Sequence, residues 1–180
     1  MTFKGVDEVA WIKDFTPTKI NGLKKPLILV RQIETKAAYA QGKHDTAKTM
    51  VEALSELGNV HLIERYNETG EKYCEKPAFE DSVNLVANAA LVVSYGGTIS
   101  REAALQGVPS IAISDMAKTY VNKYLAQKDF PMFITTEQKV LGMAEKYLAK
   151  RFDVIDKFLE LENPVNVIEK IVENIKTNHG

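Results

Sequence analysis

The sequence is poor in the residues that would give it an immediate chemical identity. A single cysteine, Cys74, among 180 residues excludes an internal disulfide framework and a cysteine-rich zinc site. With no base partner evident beside it, Cys74 does not read as a nucleophile. Such cysteine usage fits a reducing compartment, so the expected location is the cytoplasm. The three histidines, at positions 44, 61 and 179, are too scattered to imply a metal centre. No HExxH, GxGxxG or P-loop pattern occurs, and neither a metal nor a cofactor is expected. Charge of one sign is missing too: 23 basic residues face 24 acidic ones, a formal net charge of -1, which provides no field to draw in nucleic acid or an anionic membrane. No apolar run approaches the roughly 20 residues of a membrane span. The start, "MTFKGVDEVAWIKDF", lacks the basic-then-apolar layout of a secretory signal.

What is present is an ordinary globular composition, 45% hydrophobic and 26% charged, arranged as alternating short apolar runs and helical patterns. "PLILVRQ", from Pro26, reads as a strand buried on both faces. "DTAKTMVEALSELGN" repeats Met50, Val51, Leu54 and Leu57 at helical spacing and stops at Gly58. "VHLIERY" is a second strand, "EDSVNLVANA" a helix and "ALVVSY" a third strand. A helix over Ser100 to Gln106 ends at Gly107; strand "PSIAIS", a helix over Tyr120 to Lys128, strand "MFITT" and a helix over Glu137 to Lys150 follow. Such alternation implies right-handed βαβ units, hence an α/β three-layer Rossmann-like sandwich with a mostly parallel sheet.

Three regions are expected. Residues 1–25 form a lead-in segment with a strand at Glu8 to Ile12, coming from a domain that this chain lacks. Residues 26–162 form the Rossmann-like nucleotide-binding domain. In residues 163–180, Val167, Ile168, Ile171, Val172 and Ile175 recur at helical spacing behind a helix-start proline, predicting a C-terminal docking helix.

The most informative passage is "SYGGTISREAALQGVPSIAI". A doubly wound sheet binds ligands beyond the carboxyl ends of its strands, and this passage runs from such an end into a helix. Gly96 and Gly97 remove side chains where the backbone turns sharply or approaches a ligand. The helix start offers free N–H groups that suit a phosphate. Thr98 and Ser100 add hydroxyls, and Glu102 is suited to accept hydrogen bonds from the hydroxyls of a sugar. A plainer reading stays open: the glycines make a tight turn, Thr98 or Ser100 caps the helix, and Glu102 favours the positive end of its dipole.

This passage resembles the glycine-rich loop and following helix in the C-terminal domain of GT-B glycosyltransferases. It is especially similar to the enzyme that adds N-acetylglucosamine to lipid I and to the non-hydrolysing UDP-N-acetylglucosamine 2-epimerases. Together with "VRQIETKAAYA", it also resembles the C-terminal half of an uncharacterised archaeal and bacterial family related to them. The resemblance implies one half of a GT-B fold. It assigns Gly96, Gly97, Thr98 and Ser100 to the diphosphate of a nucleotide sugar or nucleoside diphosphate, and Glu102 to the ribose. Ser94 stands one position earlier than the serine that relatives place immediately before the glycine.

Other candidates gather at the same sheet edge. Arg31 ends the first strand and can clamp phosphate oxygens through its planar fork, or pair with Glu34. Arg65 and Tyr66 end the second strand. Lys36, Lys43, His44, Lys118 and Thr119 have weaker claims, and Trp11 reads as a packing anchor rather than a ligand platform. The expected function is the UDP-sugar-binding domain of a GT-B-like glycosyltransferase, inactive alone, whose partner is the missing N-terminal domain that performs the chemistry. A fragment of a nucleotide-sugar 2-epimerase, a non-catalytic binding or assembly module and a homodimer are the alternatives.

Overall fold

A computed structural model describes residues 3–31, 46–63, 81–95, 97–113, 118–148 and 150–177. Five strands make one sheet: β1 (Leu27–Arg31), β2 (Asn59–Ile63), β3 (Leu91–Ser94), β4 (Ser110–Ile113) and β5 (Met132–Thr135). Their order is β2-β1-β3-β4-β5, and every neighbouring pair is parallel. β1, β3 and β4 read as continuous apolar runs because both of their faces are covered.

Side chains alternate between two helical layers. Ile28, Val30, Leu91, Val93, Ile111 and Ile113 face one core, which Met50 and Leu54 of α2 (Thr46–Ser55) and Val140 and Ala144 of α6 (Val140–Tyr147) complete. Leu27, Leu29 and Val92 face the other side, against Leu85 and Val86 of α3 (Ser82–Asn88) and Ile99 and Ala103 of α4 (Thr98–Leu105). α5 (Tyr120–Gln127) adds Leu125 to this second layer, beside Val6, Val9 and Ile12 of the lead-in segment. The predicted three-layer α/β sandwich is therefore the observed fold.

Several boundaries differ from expectation, each for a local reason. Glu8 to Ile12 is not a strand: Val9–Ile12 is a one-turn helix, α1. Val6, Val9 and Ile12 recur every third residue and are all buried, a helical stripe that the short alternation around Ala10 disguises. α4 starts at Thr98 rather than Ser100, with Gly97 as its N-cap, so neither Thr98 nor Ser100 serves as the capping side chain. The helix expected over Glu137 to Lys150 divides into a 3-10 turn, Glu137–Lys139, and α6. A short helix, α7 (Ile155–Leu159), has no counterpart in the sequence pattern, because five residues carry too little periodicity to declare it.

α8 (Pro164–Thr177) is helical as predicted. Yet Val165, Ile168, Ile171, Val172 and Ile175 are all exposed, so its apolar stripe is left uncovered by the described residues of this chain.

Candidate functional site

The sheet order places the reversal of winding between β1 and β3. The chain steps outward to β2 on one side and to β4 and β5 on the other; in sheets wound this way, ligands bind beyond the carboxyl ends of the two central strands. Arg31 and Ser94 are register partners there, each the last residue of its strand. Two residues predicted from separate passages thus stand side by side at the switch point.

From β3 the chain passes Tyr95 and reaches Gly97, whose φ of 102° and ψ of -173° belong to a backbone region that side chains exclude. Among the described residues a Cβ built on Gly97 meets nothing within 4 Å. Gly97 and Thr98 are exposed, and the first turn of α4 carries no carboxylate that would neutralise its positive end. Gly107, at φ 71°, ends the helix, where a side chain would collide with the Phe152 carbonyl.

Ser94 and Ser100 are brought together in a different way. Both are fully buried, and their hydroxyls are hydrogen-bonded to each other. Ser94 points to the α4 side of the sheet because Val93, its neighbour in β3, points to the α2 side. The pair ties the end of β3 to the start of α4.

Glu102 lies one turn into α4 and is 4% exposed. Its Oε1 accepts from Trp11 Nε1 at 3.1 Å, and its Oε2 accepts from the Ser82 hydroxyl at 3.1 Å. Burial pushes its carboxyl pKa above the ordinary value; the two hydrogen bonds oppose that rise, while the nearby Glu8 and Asp81 charges add to it. Trp11 is 43% exposed and so is not the packing anchor expected. Next to Glu102, Arg101 Nε donates to Glu8 Oε1 at 2.6 Å, and its two Nη atoms reach Asn122 Oδ1 and Thr98 Oγ1 at 3.4 Å. The sequence pattern did not flag Glu8, Ser82 or Arg101. Only the spacing of Glu8 and Trp11, three apart on one helical face, hints that they act on a common neighbour.

Thr119 proves to be the N-cap of α5, its hydroxyl accepting from the Asn122 backbone N–H at 3.3 Å. Gly96, Arg65, Tyr66, Lys36, Lys43, His44 and Cys74 lie outside the described residues. A concavity of about 230 Å³ is lined by Ile12, Phe15, Pro17, Ala87, Gln106 and Arg151. It sits by the C-terminal ends of α3 and α4, hence at the opposite end of the sheet from the switch point. Among the described residues no group of histidine, cysteine or carboxylate side chains could hold a metal ion, and no helix is long and apolar enough to cross a membrane.

A five-stranded parallel sheet between helical layers, with a glycine-started helix at the switch point, defines a Rossmann-like domain resembling those of GT-B glycosyltransferases. Residues 13–177 match the model of the family described as "Protein of unknown function (DUF354)", and the chain belongs to that family.

Among curated proteins it is similar to "Uncharacterized protein MJ0665" of Methanocaldococcus jannaschii, at 27% identity over 98% of this chain and 56% of the relative. Solved structures of similar fold include the spinosyn forosaminyltransferase SpnP, with a TM-score of 0.60 and 15% identity over 90% of this chain and 49% of that one. The glycosyltransferase SnogD from Streptomyces nogalater has a TM-score of 0.52 and 14% identity, covering 89% of this chain and 46% of its own. The glycotransferase of kitacinnamycin has a TM-score of 0.52 and 15% identity, covering 74% and 37%. The chain therefore spans about half the length of the curated relative it matches and half or less of these structures.

Proposed function

We propose that this chain is the nucleotide-binding half of a GT-B-like enzyme that acts on a nucleotide sugar, with a UDP-linked donor as the leading case. The observation that carries this reading is the pairing of Arg31 with Ser94 at the switch point, directly below the glycine-started α4. Arg31 supplies a bidentate cation for phosphate oxygens. The exposed Gly97 and Thr98 offer backbone N–H groups at a helix start. In this reading Ser94 and Ser100 hold the loop, and Glu102 receives the ribose hydroxyls. Gly96 is assigned to the diphosphate, and Arg65, at the same sheet edge, to a base or phosphate contact.

A second Rossmann-like half is proposed as the partner that completes the active site. Relatives about twice as long and the uncovered apolar stripe of α8 support this. On its own the unit binds nucleotide weakly and catalyses nothing. The resemblance of "SYGGTISREAALQGVPSIAI" reaches both the lipid-I N-acetylglucosaminyltransferase and the 2-epimerases, and product analysis on the two-domain protein separates transfer from epimerisation. The single cysteine favours a cytoplasmic setting.

Isothermal titration of the chain with UDP and with UDP-N-acetylglucosamine tests the reading. Saturable binding that Arg31→Ala weakens about tenfold or more is expected for a lost charge-assisted phosphate contact. No heat at high protein concentration, or an Arg31→Ala isotherm equal to the wild type, removes it.

A further inference from the structure

We propose that Trp11 is a positioning residue for the nucleotide site: its indole N–H fixes the Glu102 carboxylate so that the remaining lone pairs face the vicinal hydroxyls of a ribose. The inference rests on the nucleotide reading above and adds a residue that neither the loop motif nor the resemblance assigns.

The contact joins residues 91 positions apart, and both sides of it are prepared. Glu8 and Trp11 are three apart in the lead-in segment and meet the consecutive residues Arg101 and Glu102 of α4. The segment is pinned by the 2.6 Å Glu8–Arg101 bridge and by the buried Val6, Val9 and Ile12, so the indole is delivered to the carboxylate from a fixed base. An indole serving only as filler would be covered. Here the nitrogen edge is committed to Glu102 while 43% of the residue stays at the surface.

An ionised carboxylate has about four acceptor sites. Among the described residues Trp11 takes one on Oε1 and Ser82 takes one on Oε2, leaving a site on each oxygen, the number that a vicinal diol uses. Trp11 and Ser82 are also the two donors that favour the ionised form, whereas Glu8 and Asp81 oppose it and Arg101 is turned to Glu8. Removing the indole N–H thus loosens the carboxylate and makes it harder to ionise.

The experiment uses the full chain as wild type, Trp11→Phe and Glu102→Gln. Affinity for UDP, and for a UDP analogue lacking both ribose hydroxyls, is measured across pH. The expected result is that Trp11→Phe weakens UDP binding about fivefold to tenfold, leaves the analogue unaffected, and moves the pH midpoint of UDP binding upward. A purely structural role would weaken both ligands equally.

Because the sequence has one tryptophan, its indole N–H resonance gives a ligand-free check. It should titrate with Glu102 in the wild type and stop doing so in Glu102→Gln, a comparison that stands even where Trp11→Phe fails to fold. Wild-type discrimination and an unchanged pH midpoint in Trp11→Phe, or an indole resonance indifferent to Glu102→Gln, overturn the proposal while leaving the nucleotide reading in place. A wild type that binds no nucleotide removes both.

Discussion

The hydroxyls of Ser94 and Ser100 share a hydrogen bond that fastens the last residue of β3 to the first turn of α4. Both side chains are fully buried, so neither can exchange its partner for water. Ser100→Ala should cost about 0.5–1.5 kcal/mol, the range for losing one typical hydrogen bond. The double variant Ser94→Ala/Ser100→Ala should cost less than the sum of the two singles, because the hydrogen bond they share is lost in either single and is lost only once in the double. Urea denaturation of the four proteins measures the coupling, and strict additivity would mean that the two hydroxyls act independently.

Gly97→Ala separates backbone strain from side-chain collision. Among the described residues nothing lies within 4 Å of the added methyl, yet φ is 102°, so the cost argued here is backbone strain. A loss of about 1–3 kcal/mol in denaturant stability is expected. The same substitution should weaken UDP binding more than it weakens folding, since relief of the strain would re-aim the N–H groups at the start of α4.

The sheet and its order of elements were legible because β1, β3 and β4 are buried on both faces and announce themselves as unbroken apolar runs. The glycine-started helix was legible because Gly97 and Gly107 both hold positive φ, a role few other residues can fill. What the sequence concealed are contacts between distant residues. The acceptor chemistry of Glu102 and the resemblance of its passage point to a ribose, but its bonds to Trp11 and Ser82 depend on how α1 and α3 pack around it. The lead-in misled for a similar reason. A one-turn helix has almost no period of its own, and tertiary contacts of Val6, Val9 and Ile12 decide its conformation.

The buried Glu102 carboxyl gives a signed pH prediction. Desolvation raises its pKa in the folded chain above the ordinary 4.5, so in the window above that value the native state holds more protons than the unfolded one. The stability linked to this proton is fully present below the unfolded pKa and is lost as pH rises through the folded one. Guanidine denaturation from about pH 4 to about pH 8 should show this decline, and Glu102→Gln should flatten it. Gln keeps an acceptor for the indole and a donor for the Ser82 hydroxyl, so the comparison isolates the charge. A slope unchanged by Glu102→Gln would assign the decline to another group.

The Glu8–Arg101 bridge gives the sharpest test of what holds the lead-in segment to α4. The Glu8 side chain is 2% exposed, and its Oε2 has no hydrogen-bond partner among the described residues, so Arg101 is its principal compensation. Arg101→Met should cost about 3–5 kcal/mol, because it strands a buried carboxylate without its counter-ion. Glu8→Met/Arg101→Met should recover most of that loss, since two apolar side chains of similar volume need no compensation in the same space. Thermal denaturation distinguishes the cases. A double variant no more stable than Arg101→Met would mean that Arg101 contributes chiefly through Asn122 and Thr98, at the start of α5 and α4, rather than through Glu8.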